Sequence, residues 1–306
     1  MKPILNFVLG ILGLVIRTQA LNGNGGYILA VTGATGELGR ALIHCAQVEE
    51  NGYAPDAIGI CCRDRSNQWS LSLSSSRCFH VPVGDLADVT SVSATARLLC
   101  SAAVANSASR FVLINGAGVC LAGLSSAVLA QSIAVNALYP ILLAQSLGCH
   151  LHPSISLQVI NVSSGDGQSC YLDSDLAAAV ASLASVSTWE RFCVDFPATL
   201  TQSSGYRELA HSPGNTPAYS VSKALLTKGS VLLQQAWQVG SANAAAWHRQ
   251  SLSLCPGDFA SPMTTPEAVP HLRPVTAAAG DVWDMVINSR NYQGGGFYYL
   301  RREQAP

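Results

Sequence analysis

Tyr219 and Lys223 are the two residues of this sequence whose types and spacing suggest chemistry most directly. They stand four residues apart, directly after Pro217 and Ala218, where a helix is expected to begin. On one helix these side chains would share a face, with the phenol beside the ammonium. Because a neighbouring cation favours the phenolate, the pair is predicted to act as an acid or base near neutral pH. Taken alone, the pair fits a solvated helix face equally well.

A glycine-rich segment near the start of the chain has the pattern of a diphosphate cradle. The apolar run Tyr27–Val31 has the length of a strand and leads into Thr32-Gly33-Ala34-Thr35-Gly36-Glu37-Leu38-Gly39, followed by an apolar helix. The free amides and the dipole of a helix N-terminus in this position point at a bound anion. The segment predicts a dinucleotide site, although Glu37 would place a carboxylate near the diphosphate.

The second predicted strand, Ala57–Cys62, is followed by Arg63, Asp64 and Arg65. In a dinucleotide-binding fold, the residue that ends this strand meets the adenosine ribose. A carboxylate there would hold a 2′-hydroxyl, whereas an arginine suits a 2′-phosphate. The arginines therefore favour NADP, and a solvated Arg/Asp turn is the alternative.

Other predicted strands also end in residues suited to a ligand site. The strand at 79–83 is followed by Asp85 and Leu86, the strand at 111–114 by Asn115-Gly116-Ala117-Gly118, and the strand at 158–162 by Ser163 and Ser164. Small residues let the backbone lie against a cofactor, and hydroxyls at the carboxyl end of a strand face the ligand crevice.

Asn136 lies inside a long apolar helix predicted between two of these strands. A buried asparagine costs stability unless its amide is paired. It is therefore expected either to hold a water or to lie at a local kink.

The composition fits one α/β enzyme domain. The chain has 306 residues, of which 49% are hydrophobic and only 11% charged, with a net charge of −1. Charged residues usually make up about 25% of a protein, and nothing here indicates a basic face for nucleic acid. The ten cysteines are scattered without metal-ligand spacing, so no zinc site is predicted.

Residues 1–20 have the pattern of a signal peptide. Lys2 precedes the apolar run Ile4–Ile16, and Thr18-Gln19-Ala20 offers a small-residue cleavage site. The run is shorter than the ~20 residues that span a bilayer. The segment predicts that the protein enters the secretory pathway. Its destination would be the outside of the cell, the endoplasmic-reticulum lumen or an organelle reached through that pathway. Arg17 keeps an uncleaved membrane anchor as the alternative, and a buried N-terminal helix is the third interpretation.

In order along the chain, these motifs resemble those of the short-chain dehydrogenase/reductase family. The resemblance runs from about Tyr27 to the end and includes Pro256-Gly257 after the predicted sixth strand. It implies that Tyr219 donates a proton to a carbonyl, that Ser164 hydrogen-bonds the same oxygen, and that Lys223 binds the ribose and activates Tyr219. Asn136 would hold a relay water. The cofactor would be NADP(H), bound by Gly33, Thr35, Gly36, Leu38, Gly39, Arg63, Arg65, Asp85, Leu86, Asn115, Ala117, Gly118, Tyr219, Lys223, Pro256, Gly257 and Ser261.

The resemblance implies a single domain over residues 25–306, with a Rossmann-type, doubly wound parallel sheet of about seven strands and helices on both faces. The activity would be reduction of an aldehyde, ketone or quinone to an alcohol, or the reverse. Two alternatives stay open, namely a non-catalytic NADP-binding sensor or scaffold, favoured by Glu37, and an epimerase or dehydratase on the same fold.

A long segment, residues 165–217, separates Ser164 from Tyr219 and resembles the insertion of the monomeric carbonyl reductases. Its part from 176 to 196 is predicted as one helix, with Trp189, Phe192 and Phe196 on one face that packs into the core and could also wall the substrate pocket. In this family, oligomers commonly pair the helices that hold Asn136 and Tyr219. The insertion would cover part of that surface, so a monomer is expected. Cys170 and Cys193 could form a disulfide in oxidising surroundings.

Overall fold

A computed structural model of the chain describes residues 26–48, 54–62, 78–200, 209–210, 216–240, 249–261, 263–264 and 272–304. Its centre is an eight-stranded sheet in the order β3-β2-β1-β4-β5-β6-β7-β8. The strands are β1 Tyr27–Thr32, β2 Ala57–Cys62, β3 Cys78–Pro82, β4 Arg110–Asn115, β5 Ser156–Val162, β6 Arg249–Cys255, β7 Phe297–Tyr299 and β8 Arg302–Gln304. The first seven are parallel, and β8 is antiparallel to β7.

The predicted doubly wound parallel sheet is confirmed, except that β8 was not expected. All three residues of β8 are polar and exposed, so no apolar alternation marks it as a strand.

Helices cover both faces of the sheet. They are α1 Glu37–Gln47, α2 Val92–Ala105, α3 Ser126–Ile133, α4 Tyr139–His150, α5 Ser174–Ser182, α6 Val186–Thr199, α7 Pro217–Gly240 and α8 Val275–Ile287. Alternate residues of β1 belong to different cores, since Ile28 packs with the cluster under α2, α4 and α7 while Leu29 packs with the cluster under α1 and α8. A strand buried on both faces must be apolar at every position, which explains the continuous apolar runs.

The insertion forms two helices, α5 and α6, where one was predicted. Ser185 begins α6 with a capping box, in which its hydroxyl accepts from the Thr188 amide (3.2 Å) and Thr188 accepts from the Ser185 amide (3.1 Å). This S-x-x-T signal is a helix start in the sequence. The break was missed because the aromatic periodicity continues past it.

The aromatic residues of α6 are core residues. Trp189 has no exposed surface, and its indole Nε1 donates to the Leu225 carbonyl of α7 at 2.8 Å. Phe192 and Phe196 stack with their ring centroids 5.0 Å apart. Trp189 therefore anchors the insertion on α7 and does not wall a pocket.

Two sequence predictions concern the cysteines and the membrane. Cys170 and Cys193 do not form a disulfide, since both thiols are free, the first exposed and the second buried in α6.

Residues 1–20 lie outside the described part of the chain. Among the described residues, the helical stretch Ser126–His150 is long and apolar enough to cross a membrane, and 67% of its most apolar window is buried inside the fold.

Candidate active site

The predicted pair lies in the first two turns of α7. The ammonium of Lys223 is 5.6 Å from the centre of the Tyr219 ring, so the two side chains share a face as the spacing predicted. Lys223 is 4% exposed, and its ammonium donates to the Val162 carbonyl oxygen at 2.7 Å. That oxygen belongs to the end of β5, so the bond fixes the lysine at the carboxyl edge of the sheet.

Ser164 comes directly after β5, at the start of a 3₁₀ turn over Gly165–Gly167. Its hydroxyl accepts from the Asp166 amide at 3.2 Å, and it lies close enough to the Tyr219 phenol to lower the pKa of that group. The turn is pressed onto α7, because a Cβ at Gly167 would lie 2.7 Å from the carbonyl carbon of Lys223. A glycine is required at this contact, and it brings Ser164 to the phenol.

Burial controls the protonation of both groups of the pair. It raises the pKa of Tyr219 above its usual value, and the hydrogen bond from Ser164 offsets this only in part. It lowers the pKa of Lys223 to about 8. The predicted acid or base role near neutral pH was argued from the neighbouring cation, but desolvation dominates the pKa of Tyr219, and the Lys223 ammonium donates its hydrogen bond to Val162. Tyr219 is a neutral phenol at pH 7, which suits a proton donor.

Asn136 lies in a π-helical turn, Ala134–Leu138, between α3 and α4, and its side chain is fully buried. Its Oδ1 accepts from the Val119 amide and its Nδ2 donates to the Val119 carbonyl, both at 2.8 Å. Nδ2 also donates to the Ser222 hydroxyl at 2.9 Å. The predicted kink is confirmed. Both amide hydrogens are committed, so a relay water would have to use another atom of Asn136, and that role stays a prediction.

The glycine-rich turn and the end of β4 are in direct contact. Gly33 has φ +68°, and a Cβ there would lie 2.5 Å from the amide nitrogen of Ala117. A Cβ at Gly39 would lie 2.3 Å from the Gly33 carbonyl oxygen, while Gly36 caps α1 and donates to that same oxygen at 3.0 Å. The two predicted cofactor segments thus form one cradle that only small residues can line.

Gly118 lies next to Asn136 and Lys223 and continues the loop that lines this cradle. A Cβ at Gly118 would lie 3.3 Å from Asn136 Oδ1 and 3.7 Å from Lys223 Nζ. The absent side chain leaves the backbone of this loop open between the glycine turn and Lys223. A dinucleotide with its diphosphate at α1 and its ribose near Lys223 fits these residues.

The carboxylate of Glu37 is neutralised within its own helix. Its side chain forms an ion pair with Arg40, and both side chains are about half exposed. The sequence suggested that Glu37 would repel a diphosphate. Arg40 reduces that repulsion, because it places a cation on the carboxylate at the same helix end.

The remaining predicted cofactor residues differ in what they can contact. Thr35 and Asp85 are exposed, and Asp85 accepts from the Ala87 amide at 3.0 Å. Leu38 and Leu86 pack their side chains into the cores. The two leucines can therefore contact a ligand only through their backbone or through the exposed part of their side chains.

Asn115 does not present its side chain to a ligand. Its Nδ2 donates to Asn161 Oδ1 at 2.9 Å and to the Pro140 carbonyl at 3.3 Å, and the residue is 1% exposed. The side chain thus ties β4 to β5 and α4, and only its backbone remains for the cofactor prediction. Arg63 and Arg65 lie outside the described residues.

A cluster of charged side chains that the sequence did not indicate contacts the Pro256–Gly257 turn. Arg273 donates to the Pro256 carbonyl and pairs with Asp281 at 2.8 Å, and Arg301 pairs with the same carboxylate at 3.0 Å. Gly257 has φ +73°, with Leu300 in close contact. Nothing in the sequence indicated that Asp281 supports this turn, because it is one polar residue within a largely apolar helix.

The hydroxyl of Ser261 forms hydrogen bonds within its own turn. It lies 3.1 Å from the Thr264 hydroxyl and accepts from the Met263 amide at 3.2 Å. A contact from its side chain to a carboxamide would break these bonds.

Two further residues of the site escaped the sequence reasoning. Asp166 follows Ser164 in a Gly-Asp-Gly turn, and it is half-buried next to Tyr219. Cys120 hydrogen-bonds Thr216 and lies close to Lys223, and burial raises the pKa of its thiol. A carboxylate just past the end of β5 was a visible signal, whereas nothing local marked Cys120.

No known family profile and no curated protein sequence matches this chain. Solved structures do match its fold. NADPH-bound carbonyl reductase from chicken fatty liver superposes with a TM-score of 0.64 at 18% identity, over 93% of this chain and 100% of that one. The carbonyl reductase Sniffer of Drosophila melanogaster gives 0.63 at 16% identity, over 92% and 100%. Salutaridine reductase from Papaver somniferum gives 0.69 at 16% identity, over 89% and 99%.

These likenesses confirm the predicted resemblance at the level of the fold. Other matched structures include a short-chain dehydrogenase/reductase of Serratia marcescens. The chain has the Rossmann-like fold of these oxidoreductases over nearly its whole described length.

Proposed function

We propose that this protein, whose fold is that of the short-chain dehydrogenases/reductases, is an NADP(H)-dependent oxidoreductase that reduces an aldehyde, ketone or quinone to an alcohol. The observation that carries the proposal is the placement of Tyr219 and Lys223 on one face of α7, with Ser164 at the start of the Gly165–Gly167 turn that is packed against that helix. These three side chains come from two elements that meet at the carboxyl edge of the sheet, where ligands bind in doubly wound folds.

The residues present fit a dinucleotide. Gly33, Gly36 and Gly39 would hold the diphosphate at the N-terminus of α1, and Lys223 would bind the ribose hydroxyls. Gly118 would let the dinucleotide pass close to the backbone. When bound, NADPH would supply the hydride for the carbonyl carbon.

The proton and the orientation would come from the chain. Ser164 accepts from the Asp166 amide, and its one hydroxyl hydrogen would turn from Tyr219 to the carbonyl oxygen of a bound substrate. Tyr219 would give its phenolic proton to that oxygen, and the buried charge of Lys223 would stabilise the phenolate that remains. In the overall reaction, the carbonyl carbon would gain a hydride and the carbonyl oxygen would gain the proton of Tyr219.

One feature supports reduction as the favoured direction at neutral pH. Burial raises the pKa of Tyr219, so the phenol carries its proton before the reaction. The Glu37–Arg40 ion pair also weakens the ground for a non-catalytic sensor, because the carboxylate in the cradle has its own counter-ion.

The test is NADPH oxidation, followed by absorbance, across matched aldehydes, ketones and quinones, with alcohols and NADP⁺ for the reverse direction. We expect turnover of at least one carbonyl class. Tight NADPH binding without turnover of any class would favour the sensor. Conversion of a substrate without net NADPH consumption would favour an epimerase or dehydratase.

We also propose entry into the secretory pathway, on the pattern of residues 1–20. N-terminal sequencing of the protein from its own cells is the measurement. A start near Leu21 supports cleavage, and an intact Met1 on soluble protein contradicts it.

A further inference from the structure

Asp166 is a half-buried carboxylate at the proposed reaction centre that has no partner within the described residues. It lies two positions after Ser164, on the turn that Gly167 locks against α7. Only its backbone amide is engaged, by the Ser164 hydroxyl at 3.2 Å. A carboxylate taken partly out of water normally recovers that cost through a hydrogen bond or a counter-ion, and Asp166 shows neither.

The basic residues of the site are committed elsewhere. The ammonium of Lys223 donates to the Val162 carbonyl at 2.7 Å. The guanidinium of Arg273 is held by the Pro256 carbonyl and by Asp281. Neither of these two cations therefore neutralises the negative charge of Asp166, which lies on the turn that begins at Ser164.

The surroundings of Asp166 make this region more negative. Burial raises the pKa of Asp166, and the nearby carboxylate of Asp258 raises it further. Asp166 in turn raises the pKa of the Tyr219 phenol. The position of Asp166, two residues after Ser164 on a turn packed against α7, keeps this carboxylate near the proton donor.

An aromatic ring borders the same turn. Tyr299 ends β7, is paired in register with Cys255 of β6, and is 42% exposed. A Cβ at Gly165 would lie 3.7 Å from Cε2 of Tyr299, so this ring lies beside the Ser164–Asp166 turn. A carboxylate together with an exposed tyrosine ring is the combination that binds ammonium groups, through charge and through the ring face.

We infer that Asp166 and Tyr299 select carbonyl substrates that carry a cationic group, such as a protonated or quaternary amine, near the carbonyl. This inference rests on the proposed function for the site, but it adds the charge class of the substrate. The carbonyl would lie at Ser164 and Tyr219, and the cation would take the place of the counter-ion that Asp166 lacks. Anionic substrates would be disfavoured by the same charge.

The test separates charge from shape with para-substituted acetophenones bearing trimethylammonium, tert-butyl or sulfonate. The first two have nearly the same shape. Affinities are measured by calorimetry for the protein saturated with NADP⁺, so binding is read independently of turnover. We expect the trimethylammonium compound to bind about tenfold or more tightly than the tert-butyl compound, with sulfonate weakest.

Variants assign the preference to the two residues. Asp166→Asn should reduce the ratio of the two affinities to near one, and Asp166→Lys should reverse the order of the cationic and anionic compounds. Tyr299→Leu should reduce the ratio by a smaller factor. Asp195→Asn removes a carboxylate exposed on α6 and should leave the ratio unchanged.

The outcomes distinguish this inference from the proposed function. Equal affinities for the cationic and neutral compounds in the unmutated protein overturn the inference, even if neutral ketones are reduced. A cation preference that survives in both Asp166 variants also overturns it. A preference lost in Asp166→Asn, with no turnover of any carbonyl, would uphold the charge selection and contradict the carbonyl reductase.

Discussion

The ammonium of Lys223 lies 5.6 Å from the centre of the Tyr219 ring. Lys223 is buried and Tyr219 is half-buried at the carboxyl edge of the sheet, and their environment shifts both pKa values away from the charged forms. The pair is thus a neutral proton donor beside a cation whose charge is lost in mildly alkaline solution. Two of the predictions below follow from this state.

Tyr219→Phe is expected to lower kcat by at least about 10²-fold, because proton transfer by a positioned group contributes about 10²–10⁴-fold. Only a hydroxyl is lost, so NADPH binding and the melting temperature should change little. Tyr298→Phe is the matched control, since its hydroxyl accepts from the Gln293 amide away from the site. Steady-state kinetics decide the question, and more than about a tenth of the activity remaining would remove Tyr219 from the acid role.

The activity is expected to fall as the pH rises through about 8, because burial lowers the pKa of Lys223 to about 8 and the ammonium is charged only below that value. Arginine keeps its charge to far higher pH. Lys223→Arg should therefore move the alkaline limb of the kcat/KM profile upward. A limb at the same pH in both proteins would assign it to another group.

Gly118→Ala tests the cradle. The added methyl would lie 3.3 Å from Asn136 Oδ1 and 3.7 Å from Lys223 Nζ, so the fold should tolerate it while the path for the dinucleotide narrows. We expect the dissociation constant of NADPH to rise roughly tenfold, about 1.4 kcal/mol.

The control for that variant is Gly280→Ala, at an exposed helix position with no atom within 4 Å of the added Cβ. It should leave NADPH binding unchanged and stabilise the fold by about 0.5–1 kcal/mol. Equal NADPH affinity in the two variants, measured by fluorescence titration, would place the cofactor elsewhere.

Replacing Arg63 and Arg65 together with alanine is expected to erode the preference for NADPH over NADH. Both residues lie outside the described part of the chain, so this prediction rests on their place after β2. Hydrogen bonds to charged groups contribute about 1.5–3 kcal/mol, which corresponds to roughly tenfold or more in the ratio of kcat/KM values. Equal use of the two cofactors by the unmutated protein would refute the assignment.

We expect a monomer in solution. The inserted helix α6 packs on α3 and α7, which are the surfaces that oligomers in the resembled family use, and Trp189 anchors it there. Light scattering of a protein starting near Leu21 measures the mass directly. A dimer mass at micromolar concentration would show that the insertion leaves an association surface open.

Local patterns in the sequence determined seven of the eight strands, most of the helices and the order of the motifs. The continuous apolar runs at β1, β4 and β5 predicted a sheet buried on both faces, and the i, i+4 spacing placed Tyr219 and Lys223 together, because periodicity and spacing act over a few residues. The capping box at Ser185 was equally local, and it was overlooked in favour of the aromatic stripe.

Only the tertiary structure decided the chemical state of the site. The pKa of Tyr219 depends on burial from all sides, and the partner of Lys223 is a carbonyl 61 residues away in sequence. Tyr299 lies beside the turn that carries Asp166 because β5, β6 and β7 end at the same edge of the sheet. Desolvation and contacts between distant segments are properties of the packed chain, which no short stretch of residues contains.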